Sequence, residues 1–347
     1  MQVQEPGKGE RTMRLVDRYK RPLHDLRVSV TDRCNFRCTY CMPREHFDAD
    51  HPFLEREALL TYEEITTVVQ SLLPAGLRKV RLTGGEPLLR KDITTLVEML
   101  RAAGPELDLA LTTNGALLER HASALKHAGL DRVTVSLDAI DEALFQQMAD
   151  TTSHGPNEVL AGIDVALGLG LGVKVNTVVQ KGLNDGELIQ LAEACTARNI
   201  TLRFIEFMDV GNTNAWKLED VMTGQEIRNV LQHRFGQLKP VQAADRSQVA
   251  RTYETMDGHR FGFIESVSNP FCGDCTRARL SANGSLYTCL FSSSGHDLKS
   301  LLRMEAEEHE VLQAVQSIWE GRKDQYSMER ASIEDPSSKV EMSFIGG

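Results

Sequence analysis

Six of the seven cysteines fall into two groups of three. The first is Cys34-Asn-Phe-Arg-Cys38-Thr-Tyr-Cys41, with three residues in one gap and two in the other. A loop this tight can bring three thiolates to one face of a compact metal centre. It offers no obvious fourth ligand, since His46, the nearest downstream histidine, lies in a different sort of segment. A structural zinc site closes its tetrahedron with four protein ligands, so three alone make a poor one. A four-iron, four-sulfur (4Fe-4S) cube normally takes four thiolates. Held by three, it keeps one iron open to a substrate or cofactor, as redox chemistry on a small molecule requires. The second group is Cys272-Gly-Asp-Cys275 with Cys289 after thirteen intervening residues. Its spacing fits an iron–sulfur centre or, with His296, a Cys3His zinc site. Within it, Arg277 and Arg279 suit a phosphate or carboxylate approaching the metal, which they can meet as bidentate donors. Cys195 stands apart in a helical segment and reads as a small buried hydrophobe.

These loops need a scaffold. Leu26–Val30 reads as a β-branched strand that delivers the first cysteine loop at its C-terminal end. Further strands are expected over 79–83, 107–112, 132–137, 173–179 and 201–207, with helices over 62–73, 91–103, 117–128, 141–149, 157–169 and 186–198. Six strands alternating with helices imply parallel βα units, curled by right-handed crossovers into a barrel. Eight units cannot be counted, so the expected fold is α/β, an incomplete (β/α)6 TIM-like barrel with a smaller C-terminal α+β domain. The unusual residues cluster just after the strands, where such folds place their active sites. One of these stretches is Gly84-Gly-Glu-Pro87. Its glycines let the backbone approach a ligand closely and Pro87 stiffens the exit, although alone it is equally an ordinary strand–helix turn. Beyond residue 215 the rhythm changes. A helix is expected over 223–234, a hairpin with Asp257-Gly258 at its turn, and a charged helix over 299–320. The division expected is a flexible tail over 1–13, a barrel over 14–215, a C-terminal domain over 216–330 and a tail over 331–347 ending in Gly346-Gly347.

The chain has 347 residues, 41% hydrophobic and 25% charged, ordinary for a globular protein. No apolar run approaches about 18 residues, so no membrane span is expected. The first residues lack a secretory or transit pattern, which makes the cytoplasm of a prokaryote the default. A net charge of −10 disfavours general binding to nucleic acid or anionic membranes.

The first cysteine loop, with Tyr40 before its last cysteine, resembles the radical S-adenosylmethionine (SAM) superfamily, and Gly84-Gly-Glu-Pro87 resembles its glycine-rich SAM motif. Together with Leu111-Thr-Thr-Asn-Gly115, Val135-Ser-Leu-Asp138, His154-Gly-Pro-Asn157, Val173-Lys-Val-Asn176, Phe271-Cys-Gly-Asp-Cys-Thr-Arg-Ala-Arg-Leu280 and the final Gly-Gly, the pattern is similar to the GTP 3′,8-cyclase family of molybdenum cofactor biosynthesis. The resemblance runs from about residue 14 to the end. It implies two 4Fe-4S clusters, one held by Cys34, Cys38 and Cys41 and one by Cys272, Cys275 and Cys289. It implies SAM contacts at Tyr40, Gly85, Ser136 and Met208. GTP contacts are implied at Arg27, Arg81, Thr112, Lys174 and the run Arg277-Ala278-Arg279. It further implies a radical ring closure of GTP, an electron donor, the next enzyme of the pathway as a partner, and a homodimer.

The residues are compatible with those roles. Singly, each cation reads as a solvated surface charge. Five of them bracketing two clusters suit a triphosphate. Thr112 and Ser136 are otherwise strand-end hydroxyls bonded to backbone, and Met208 alone reads as core. No catalytic acid–base pair stands out. Two other readings remain: a radical SAM enzyme with an auxiliary cluster acting on a peptide, and a non-enzymatic iron–sulfur or zinc module. The second explains neither the Gly-Gly-Glu-Pro loop nor the six βα units.

Overall fold

The computed structural model describes residues 14–243, 245, 247–330 and 339–346. The tail expected over 1–13, most of the one over 331–347, and Gly347 lie outside them.

The six expected strands form as β1 (Asp25–Ser29), β2 (Lys79–Thr83), β3 (Asp108–Thr113), β4 (Arg132–Ser136), β5 (Gly172–Val179) and β6 (Thr201–Glu206). They lie side by side in chain order, all parallel. The intervening helices are α1 (Tyr62–Leu72), α2 (Ile93–Ala103), α3 (Leu118–His127), α4 (Glu142–Ala149), α5 (Pro156–Gly168) and α6 (Leu188–Thr196). Local sequence starts several of them. Thr61 and Glu64 form a reciprocal capping box on α1, and Pro156 occupies the first turn of α5.

The C-terminal segment extends the same sheet. After α7 (Gly224–Phe235) come β7 (Lys239–Pro240), β8 (Arg251–Glu254) and β9 (Arg260–Ile264); the last two form the expected Asp-Gly hairpin. Then follow β10 (Arg277–Leu280), β11 (Ser285–Tyr287) and β12 (His296–Asp297). β9 runs parallel beside β6, and β10 runs parallel beside β1. The order β12-β11-β10-β1-β2-β3-β4-β5-β6-β9-β8-β7 leaves the sheet open between its ends, so the barrel is incomplete. The helix expected over 299–320 is two: α8 (Lys299–Arg303) and α9 (Glu308–Glu320). Glu305 adopts a positive φ of 56°, and Glu307 restarts the helix by a capping box with Glu310. Among the described residues two short helices follow, α10 (Tyr326–Glu329) and α11 (Met342–Ile345).

Side chains alternate along each strand. Leu26, Val28, Val80, Leu82, Leu109, Leu111, Val133 and Val135 join one apolar core with helix residues such as Val69, Leu96, Leu125 and Ile163. The other face of the same strands is polar and lines a cavity. Among the described residues no helix is long and apolar enough to cross a membrane.

Candidate active site

One cavity of about 780 Å³ runs inside the curved sheet. All six cysteines of the two triplets line it. So do Arg27, Tyr40, Arg81, Gly85, Thr112, Ser136, Lys174, Met208, Arg277 and Arg279. Ala278 does not. It is fully buried in the apolar layer, because it lies between two residues that face inward.

The first triplet is set by packing of backbone on backbone. Val30 N–H donates to the Thr83 carbonyl, Gly85 N–H to Thr31 and Glu86 N–H to Arg33, at 2.8–2.9 Å. A Cβ on Gly84 would collide with the Thr31 carbonyl oxygen, and one on Gly85 with that of Arg33. Gly84 also has a φ of 145°. The glycine-rich loop therefore clamps the cysteine loop as well as facing the cavity. Glu86 is buried and accepts from Leu88 N–H, Thr113 Oγ1 and Asn114 N–H at 2.8–3.0 Å. Asn114 Nδ2 in turn lies 3.9 Å from Cys34 Sγ, and Phe36 N–H donates to that sulfur at 3.4 Å. Tyr40 donates its hydroxyl to Asp138 at 2.6 Å. Burial pushes the Cys34 thiol up to about 11, with Glu86 adding to the effect. It also raises Cys38 and Cys41.

At the second triplet, burial would raise Cys275, but Arg277 and Arg322 overcome it and hold the thiol at about 6. Arg322 donates to Cys275 Sγ at 3.2 Å and to its carbonyl at 2.8 Å. Cys289 is pushed up to about 11 by burial. His296 lies exposed on β12, paired opposite Leu286, and does not line the cavity. It does not complete a zinc site there. Among the described residues, no three His, Cys, Asp or Glu side chains gather closely enough to hold a single ion. Three soft thiols at each triplet are a donor set of the kind that iron–sulfur centres use.

Between the triplets the register gathers cations. Arg279, Arg27 and Arg81 are neighbours across β10, β1 and β2. Arg81 Nη1 donates to Thr112 Oγ1 and Thr134 Oγ1 at 3.0 Å each, and Arg203 Nη2 to Thr134 at 3.1 Å. Burial and then mutual repulsion depress these cations. Arg279 is held down at about 10, Arg203 at about 9, and Lys79 and Lys174 at about 8. Arg27, Arg81 and Arg203 each keep a buried Nε without a hydrogen-bond partner. Crowded, underpaired buried cations are costly unless an anion joins them. A lining of this kind suits a polyanionic ligand. Lys79, Arg132, Arg203 and Arg322 also line it, beyond the cations singled out from sequence. The first three could have been found from the strict alternation of polar and apolar residues in each strand. Arg322 carries no such signal, since it follows α9 in a loop.

The C-terminal end covers the site. Met342 and Ser343 line the cavity, and the Gly346 carbonyl accepts from Arg279. Gly346 has a φ of 75°, and a Cβ there would strike Thr83. Lys339 Nζ pairs with Asp209 at 2.9 Å, while Glu341 accepts from Asn212 N–H at 2.9 Å and Thr213 Oγ1 at 3.1 Å.

Comparison with known proteins agrees with this geometry. Residues 28–195 match the Radical SAM superfamily and residues 200–328 match Molybdenum Cofactor Synthesis C. A GTP 3′,8-cyclase of Staphylococcus epidermidis is 45% identical over 95% of this chain and 98% of its own length. One of Acidothermus cellulolyticus is 45% identical over 97% of this chain and 100% of its own. Among solved structures, Streptococcus suis SuiB bound to S-adenosylmethionine has a TM-score of 0.62 at 13% identity, covering 94% of this chain and 78% of that one. At that identity the likeness concerns the fold. The identity with curated relatives over nearly the whole chain, and the cysteines, glycines and arginines that meet in one cavity, show that the chain belongs to the GTP 3′,8-cyclase family of radical SAM enzymes.

Proposed function

We propose that this chain closes GTP to (8S)-3′,8-cyclo-7,8-dihydroguanosine 5′-triphosphate, the first step of molybdenum cofactor (molybdopterin) biosynthesis. The observation that carries this reading is the single cavity with a cysteine triplet at each end and a row of buried arginines between them. Cys34, Cys38 and Cys41 hold a 4Fe-4S cluster beside SAM, and Cys272, Cys275 and Cys289 hold a second beside the purine. Bound there, the first cluster and SAM would supply the reducing electron and the radical chemistry needed at C3′ of the ribose, and the second cluster would seat the purine.

The chain's own residues bind, orient and exclude water. Gly85, Tyr40, Ser136 and Met208 seat SAM against the first triplet. Arg27, Arg81, Lys174, Arg277 and Arg279 take the nucleotide, with Ala278 spacing two of the arginines onto one face. Thr112 steers Arg81. The docked C-terminal segment narrows the opening and keeps solvent from the reacting carbons. In this reading residues 14–215 carry the first centre and 216–330 the second. The protein works as a cytoplasmic homodimer, receives electrons from a separate donor and hands its product to the next enzyme of the pathway.

The test is anaerobic incubation of reconstituted protein with SAM, a reductant and GTP. Equal loss of GTP and gain of 5′-deoxyadenosine is expected. Release of 5′-deoxyadenosine with GTP untouched would point instead to another substrate.

A further inference from the structure

Two carboxylates sit where an anion receptor has least use for them. Arg277, Asp25, Lys79 and Asp108 are neighbours across β10, β1, β2 and β3, two residues below the Arg279–Arg27–Arg81 row. Asp25 Oδ2 lies 3.4 Å from Lys79 Nζ, and Asp108 pairs with the Arg132 guanidinium. All four of these side chains line the cavity. Neither pair is complete, since Asp25 Oδ1 and Arg132 Nε are buried without a hydrogen-bond partner among the described residues. Across the cavity wall eleven Arg and Lys face five Asp, in a chain whose overall charge is −10.

An uncompensated set of that many cations would repel itself and would hold any polyanion tightly. The two carboxylates offset both effects. They give Lys79 and Arg132 an acceptor of the same sign of charge as a phosphate oxygen. A ligand that recruits those cations must share them and must stand close to two like charges. Like-charge contact of this kind is a common device of selectivity.

We propose that Asp25 and Asp108 are built-in phosphate surrogates: they hold Lys79 and Arg132 ready for a polyphosphate and lower its affinity, so that a triphosphate product can leave. This rests on the reading of the cavity as a nucleoside triphosphate site. Asp25 and Asp108 act through the cations and are positioning residues rather than catalytic ones.

The test is equilibrium binding of GTP, pyrophosphate and guanosine to anaerobic, cluster-reconstituted protein, comparing wild type with Asp25→Asn and Asp108→Asn. Each variant is expected to bind GTP and pyrophosphate about tenfold tighter, with a steeper dependence on salt and no change for guanosine. Asp108 has a side chain 38% exposed, so its variant keeps the test open should Asp25→Asn fail to fold. Unchanged or weaker binding of GTP and pyrophosphate by folded Asp108→Asn would overturn the surrogate role and leave a plain structural ion pair. Wild-type protein that binds no GTP would overturn the nucleotide reading itself.

Discussion

Cys34, Cys38 and Cys41 sit in surroundings that resist charge, whereas Cys275 sits in surroundings that supply it. Cys38 and Cys41 pack against a small cluster of Tyr40, Met148 and Phe207, and burial raises all three thiols of that triplet. At the other end Arg277 and Arg322 outweigh burial and bring Cys275 down to about 6. The same residue type thus sits in two kinds of surroundings, with Cys289 of the second triplet raised by burial to about 11 like the first triplet and Cys275 alone drawn down. At the first end the protein contributes burial, and iron held there as proposed would supply the positive charge that stabilises thiolates. At the second it contributes cations of its own, which also face the space where an anionic nucleotide would lie. The difference follows from what each loop is packed against, the glycine loop and apolar side chains in one case and an arginine strand in the other.

The strongest way to break this comparison is to remove one end at a time. Cys38→Ala and Cys272→Ala are each expected to lose about half of the bound iron and all cyclisation, with the other centre still visible by electron paramagnetic resonance. Loss of both centres from either variant would mean that the ends do not assemble independently.

Next in size is the nucleotide-facing end. Arg279→Gln should weaken GTP binding about a hundredfold and leave the first centre loaded. A variant that binds GTP normally would remove the second end's role as an anion seat.

The insulating end is probed by Gly85→Ala. The added methyl must displace the Arg33 carbonyl, at a cost of about 2 kcal/mol, and iron should fall at the first centre alone. Full iron occupancy in this variant would show that the clamp on the cysteine loop is slack.

The smallest effect is on pH. Lys79 and Lys174 are held near 8, by burial and by neighbouring charges. They carry charge below that value and lose it above. GTP affinity should therefore fall about tenfold between pH 7 and 9, as measured by equilibrium dialysis, and Lys174→Met should flatten part of that slope. A flat profile in wild type would place both lysines away from the phosphates.

Much of this architecture was legible in the sequence. Strand 79–83 has the bounds of β2, and the other five strands of the barrel differ from expectation by a residue or so at their ends. Alternation of apolar and polar residues is a local signal, and helices such as α1 announce themselves by a capping box. The break between α8 and α9 was not legible. It depends on Glu305 taking a positive φ and Glu307 turning back onto Glu310, within a stretch whose composition favours one continuous helix. Ala278 was grouped with its flanking arginines by the motif, and the strand's alternation then turned it to the opposite face. Arg203 and Arg132 were not singled out from sequence, because the motifs did not include them and only the alternation within β6 and β4 places them on the cavity face.

By itself the sequence determined the chemistry on offer: two thiol triplets of fixed spacing, a glycine loop after the second strand, and arginines at alternate positions. Those depend on neighbours along the chain, where spacing and period suffice. Tertiary structure decided that these parts meet. Only the parallel pairing of β10 with β1 brings Arg279 beside Arg27 and puts both triplets on one cavity, and only the curved sheet turns the polar faces of its strands toward each other. Such pairings join residues some 250 positions apart, and their partners are chosen by the packing of the whole sheet rather than by any local preference.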